Sequence, residues 1–178
     1  MQERFGATAR WLPFDLHPEY PSEGIPRSQL VARYGPDAME RTKAFFESHG
    51  LEYNPDPEVV PNTMHALRLT EHARKHDLHA PFHDRLMDAY WAEGRNIGDP
   101  DVLRTLAAEV GLEGTGEVLA SNDYADDVRR STEHAHSIGI TGIPAFLLDG
   151  KLLVLGAHPK PTFERAFEQI DAGHRQPE

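Results

Sequence analysis

After Gly139 the hydrophobic period of this chain changes, and that change limits the folds open to it. Residues 145–157, AFLLDGKLLVLGA, hold two apolar runs separated by Asp149-Gly150. A two-residue Asp-Gly connection favours a type I′ turn, whose positive φ angles match the twist of paired strands, so the segment reads as a β-hairpin. One other stretch reads as strand: Thr8 to Leu16, TARWLPFDL, is apolar and aromatic around Trp11, Leu12 and Phe14, with Pro13 pushing it towards an edge or an exit. Between the two lies a long block of helical spacing. The pattern implies an α/β fold, a small set of strands carrying a large inserted α-helical subdomain.

The helical block has clear punctuation. HPEYPSEGIP, with three prolines and a glycine, is a loop. From Arg27 to His49 the residues Leu30, Val31, Tyr34, Met39, Phe45 and Phe46 recur with helical period, with a break expected at Gly35-Pro36. NPDPEVVP, residues 54–61, is a second loop. Asn62 or Thr63 then caps a helix with Met64, Leu67, Leu69 and Ala73 as its apolar stripe, ending near Asp77. A helix over Ala80 to Glu93 carries Phe82, Leu86, Ala89 and Tyr90 on one side. In GDPDVLRTLAAEVG, Asp99 is the cap, Pro100 the first helical residue and Gly111 the stop. A short helical turn is predicted over Glu117 to Asn122 and a longer helix over Asp123 to Ile138, with Tyr124, Val128, Ala135 and Ile138 inward. Pro161 to Ile170 is helical again through Phe163, Ala166, Phe167 and Ile170, and the tail AGHRQPE is expected to fray.

Composition excludes several functions. The 178 residues carry 18 basic and 29 acidic side chains, a net charge of −11, with no basic stripe, so neither nucleic acid nor an anionic membrane surface is an expected partner. No run approaches the roughly 18 apolar residues of a membrane span. MQERFGATAR shows no apolar signal region, so a cytoplasmic location is expected. There is no cysteine, which removes disulfides, thiolate metal sites and cysteine nucleophiles.

The residues before the hairpin, Thr141-Gly142-Ile143-Pro144, admit two readings. They form a plain turn into the strand, or a cis Ile143–Pro144 bond, which at proline costs only about 0.5–1 kcal/mol over trans and turns the preceding residue's backbone outward. Here the chain resembles the DsbA-like thioredoxin-fold family, in particular the group of FrnE-type oxidoreductases and 2-hydroxychromene-2-carboxylate isomerases. The resemblance rests on WLPFDLHPEYPSEG, PNTMHALRLTEHA, RLMDAYWAEGRNIGDPDVLRTLAAEVGL and AHSIGITGIPAFLLDGKLLVLGAHPKPTFERAF, in that order. It implies an incomplete thioredoxin-like sheet: residues 1–24 as the remnant of a βαβ unit with its second strand and exit loop, 25–138 as the helical insertion, and 139–174 as the C-terminal ββα unit. It also implies that Pro144 is the family's cis-proline and Ile143 the residue facing the redox motif. Thr141 and Gly142 match the adjoining loop, Asn62 and Thr63 the head of the insertion, and Gly156-Ala157-His158 the end of the last strand. With Phe14, the residues Thr141, Gly142, Ile143, Pro144, Asn62 and Thr63 are the expected substrate-binding set.

The resemblance begins inside the family's first helix, so the first strand and the Cys-x-x-Cys that carries the oxidoreductase chemistry have no counterpart here. No serine matches the isomerase position either: Ser22, Ser28, Ser48, Ser121, Ser131 and Ser137 fall outside that region. Three explanations stay open: a start further upstream, a shortened paralogue whose sheet is closed by rearrangement or by a second subunit, or a cut chain or unrelated helical arrangement. A redox lineage is therefore expected, with no catalytic residue in this polypeptide and no cofactor. The alternative is a glutathione-dependent isomerase-like scaffold or a non-catalytic, dimeric peptide-binding protein. Expected partners are a thiol- or disulfide-containing peptide, a glutathione-like small molecule, or a second copy of the chain.

Other clusters read as structural. His72 and His76, like His79 and His83, stand four apart on one helical face, but no Glu lies between the first pair in the metalloprotease manner and no third ligand is fixed, so they are expected on a solvated polar face and no metal site is assigned. His134 and His136 do not share a face. Asp123, Asp126 and Asp127 suit a helix start. Phe45, Phe46, Tyr90 and Trp91 read as core or as the wall of a groove.

Overall fold

The computed structural model describes residues 2–54 and 58–174. Helix α1 is Gln2–Phe5, strand β1 Ile25–Pro26, α2 Arg27–Tyr34, α3 Pro36–Ser48, β2 Val59–Val60, α4 Met64–Lys75 and α5 His79–Met87. They are followed by α6 Pro100–Glu109, α7 Thr115–Ala120, α8 Ala125–Ser137, β3 Ala145–Leu148, β4 Leu152–Leu155 and α9 Lys160–His174. The chain divides into two compact units, one made of residues up to Leu12 and from Glu133 onward, the other of Pro13–Thr132, with the division inside α8.

The larger unit is helical and holds a closed apolar core. Leu69 of α4, Phe82 and Leu86 of α5, and Leu103 and Leu106 of α6 are at most 2% exposed. Each such side chain contributes roughly 1.5–3 kcal/mol by leaving water. Local signals set the helix ends. The Asp99 carboxylate accepts the Asp101 N–H at 2.8 Å, Pro100 opens α6, and Gly111 (φ +74°) ends the segment as the spacing predicts. Helix α5 continues as a π-helical turn over Asp88–Ala92.

Within the same unit, Ile25–Pro26 and Val59–Val60 pair antiparallel, Ile25 opposite Val60, and clasp the base of the α2–α3 excursion. Gly24 (φ +79°) is required there, because a Cβ would strike the Val60 carbonyl and the Val59 side chain. The break between α2 and α3 falls at Gly35, as expected. No side chain of α2 is buried and none of the described ones of α3 is.

The smaller unit carries the hairpin. Strands β3 and β4 pair antiparallel with Phe146 opposite Val154, and Asp149 (φ +51°) and Gly150 (φ +65°) make the turn, as the Asp-Gly pair predicts. Phe146 meets Phe163 of α9 edge-on at 4.8 Å, and Phe5 of α1 stacks on Phe167 of α9 at 5.1 Å. Arg4 adds ion pairs to Glu164 and Glu168. The architecture is an incomplete thioredoxin-like sheet, present as two small antiparallel pairs, with a large inserted α-helical region.

Four expectations are corrected. Thr8 to Leu16 forms no strand, because a strand exists by its ladder and the segment joins neither described sheet; Trp11 and Leu12 are 56% and 57% exposed. The turn predicted over Glu117 to Asn122 is shifted to Thr115–Ala120, which Gly114 (φ +72°) opens. Helix α8 starts at Ala125 because Tyr124 sits at φ +64°, and Ile138 is exposed rather than inward. His72 is buried, not solvated. The predicted loop over residues 54–61 ends in β2, while its residues 55–57 and the tail's last four residues lie outside the described residues.

Candidate functional site

In the smaller unit the predicted residues Thr141, Gly142, Ile143 and Pro144 form one exposed loop leading into β3. Ile140 anchors it: the side chain is buried, and its N–H donates to the Ala135 carbonyl at 2.9 Å. Ile143 is 60% exposed, and a Cβ built on Gly142 meets nothing within 4 Å. The Ile143–Pro144 bond is cis. The Pro144 carbonyl accepts the Gly156 N–H at 2.8 Å, and the Leu148 carbonyl accepts from Lys151. With Ala145 opposite Leu155, these bonds set the alternation of the ladder. The backbone N–H and C=O of Ala145 and Leu147 therefore point away from β4, to an edge where no described strand pairs. No charged side chain guards residues 140–148.

In the larger unit, Asn62, Thr63 and Phe14 are half-buried. Both polar atoms of the Asn62 amide are engaged within the chain: Nδ2 donates to the Tyr20 carbonyl at 2.7 Å and Oδ1 accepts the Met64 N–H at 2.9 Å. Gly98 packs on the Asn62 carbonyl closely enough that a Cβ would sit 2.9 Å away. Thr63 is the residue before α4, and its side chain makes no cap bond. A cleft of about 310 Å³ lies near Tyr20, lined among others by Glu19, Ile25, Leu30 and Arg33, at the small end of ligand sites.

Several polar groups escaped sequence reasoning. Asp15 is 6% exposed; burial pushes its carboxyl above the ordinary value, against the His17 backbone N–H that favours the charge. A carboxylate in an apolar run was the available signal. His72 bonds the Glu113 carbonyl at 2.7 Å and the Tyr124 hydroxyl at 3.2 Å, while His76 is exposed. His79 and His83 stack at 5.8 Å, and among the described residues no three metal-ligating side chains converge. Phe46 contacts Tyr53 and Trp91 in a half-buried cluster, with Phe45 48% exposed. Among the described residues no helix is long and apolar enough to cross a membrane.

The hairpin, the loop before it and the helical insertion define a class, and comparison with known proteins agrees. Residues 1–168 match the DsbA-like thioredoxin domain, and the chain belongs to that family. It is 31% identical over 161 residues to the uncharacterized protein YwbO of Bacillus subtilis, a match covering 88% of this chain and 79% of that one. It is also similar to the crystal structure of a probable DsbA oxidoreductase from Streptomyces coelicolor, at TM-score 0.82 and 29% identity, over 93% of this chain and 75% of that chain.

Proposed function

We propose that this polypeptide is a peptide-binding member of the DsbA family that works without thiol chemistry, holding an extended apolar segment along the free edge of β3 beside Ile143. The observation that carries the reading is that edge: outward N–H and C=O groups at Ala145 and Leu147, an exposed Ile143, and no guarding charge. Natural sheets blunt such edges with lysine, proline or a cover, and main-chain pairing with a peptide is a recurring use of one left open. Thiol–disulfide exchange requires a thiolate, and the 178 residues contain no cysteine to supply it. The lineage is that of the oxidoreductases; the scaffold here contributes recognition. Residues 139–174 carry this role.

The test is a backbone NMR titration with an extended apolar peptide of low charge, and with the same peptide N-methylated at alternate amides. Saturable shifts confined to Ile143 through Leu147, lost on methylation, are expected. Shifts elsewhere, equal binding of the methylated peptide, or a dimer closing the edge without peptide would overturn the reading. Reduction of insulin by dithiothreitol is expected to run no faster with the protein than without it.

A further inference from the structure

Arg68 of α4 is a buried cation held without a carboxylate. It is 3% exposed, and among the described residues it makes no ion pair. Its guanidinium instead donates to three carbonyls where α7 ends and the chain turns into α8. Nε donates to the Asp123 carbonyl at 2.8 Å, and Nη2 to the Ser121 carbonyl at 2.7 Å and to the Val118 carbonyl. Carbonyls at a helix C-terminus are a fitting partner for a cation, since they carry the negative end of the peptide dipoles. The remaining contact is to His65, one turn earlier on α4: Nη1 lies 3.2 Å from its Nδ1. A guanidinium nitrogen can only donate, so Nδ1 must accept, and the imidazole must be neutral with its proton on Nε2.

We propose that His65 and Arg68 form an acid-sensitive latch that ties α4 to the α7–α8 turn. Protonating His65 turns its acceptor into a donor and brings a second positive charge against the first. The Nη1 contact is lost, and the buried guanidinium, with its three carbonyls, is pushed from its seat. Among the described residues no carboxylate acts on the His65 ring itself. On α4 the charged neighbour is Arg68 itself. On the α7–α8 side Asp123 acts on Arg68, and Glu117 is exposed. On α5, Arg85 pairs with Glu93 and Glu109, His83 lies beside Asp84, and the charges bearing on His79 are those of Arg74, His83, Glu71 and Asp84. Burial first and Arg68 second hold the His65 proton affinity below the ordinary histidine value. The folded state therefore resists a proton that the unfolded chain accepts. The latch is intact above the unfolded value of about 6.5 and weakens as pH falls from there to the lower folded value.

The experiment is amide hydrogen exchange on the whole chain between pH 7.5 and 5.5, corrected for the intrinsic pH dependence, with Leu103 of α6 as the internal reference. In the wild type the opening constants at Val118, Ala125 and Val128 are expected to rise up to about tenfold per pH unit inside that window, with Leu103 lagging. In His65→Gln, whose side-chain oxygen accepts from Arg68 and does not titrate, they are expected to stay level. Equal rises in the variant and the wild type, or no rise in the wild type, would overturn the proposal. Should the variant fail to fold, the wild-type His65 ring titration followed by NMR decides: protonation below the ordinary histidine range supports the latch, and protonation at or above it refutes the latch.

Discussion

The two units of this chain solve the problem of burial unequally. In the larger one, seven side chains from α4, α5 and α6 are shielded to 2% exposure or less and pack in one apolar core. In the smaller one, Ile140 and Ala166 alone are buried among the described residues, while Ile143, Leu147 and Leu155 stand 46–60% exposed. The difference follows from how the two structures satisfy their backbones. A helix closes its own hydrogen bonds and needs only an apolar stripe to pack, whereas a strand depends on neighbours for its ladder and its cover. A helical insertion can therefore be complete in itself where a two-stranded sheet is not.

Paired core substitutions break the comparison most sharply. Phe82→Ala should destabilise the larger unit by about 3–5 kcal/mol, and Leu147→Ala should cost no more than about 1 kcal/mol, both read by urea denaturation. Equal losses would mean that the hairpin is as well packed as the helices. A smaller effect is expected for Asn62→Ala, which removes two hydrogen bonds at the head of α4 for about 1–2 kcal/mol. Amide signals of β3 and β4 should be unchanged; their loss together with α4 would make the units one cooperative block. The smallest effect is assigned to Asp15→Asn. Because burial raises the Asp15 carboxyl above its unfolded value of about 3.8, its charged form weakens the fold progressively as pH rises through that window. The variant should melt slightly higher at pH 7 and no differently at pH 3, and a variant that melts lower at pH 7 would show that the carboxylate charge is instead stabilising.

Elements whose cause is local were legible in the sequence. Asp149-Gly150 adopts the two positive φ angles its turn demands, and Asp99-Pro100 caps and opens α6, because each residue acts on its own neighbours. The segment around Trp11 misled for the opposite reason: apolar, aromatic residues favour a strand, yet its formation depends on a partner elsewhere. Arg68 and His72 were invisible because a charged or polar residue on a helix reads as solvent-facing until the packing of α7 and of the turn after it is known. Of the candidate site, the loop at Ile143 could be read from its residue types and from the family resemblance. That the Asn62 amide is tied to the Tyr20 carbonyl could not, since Tyr20 lies 42 positions away.

The clasp between Ile25–Pro26 and Val59–Val60 has a consequence for how such a chain changes over time. It brings both feet of the α2–α3 excursion to adjacent positions, and nothing that α2 carries enters the core. Closing a loop of another length between those feet alters the entropy only slowly with length. The length of the excursion is thus open to change at small entropic cost, provided that the contacts of Phe46 with Tyr53 and Trp91, and of Asn54 with Trp91, are kept.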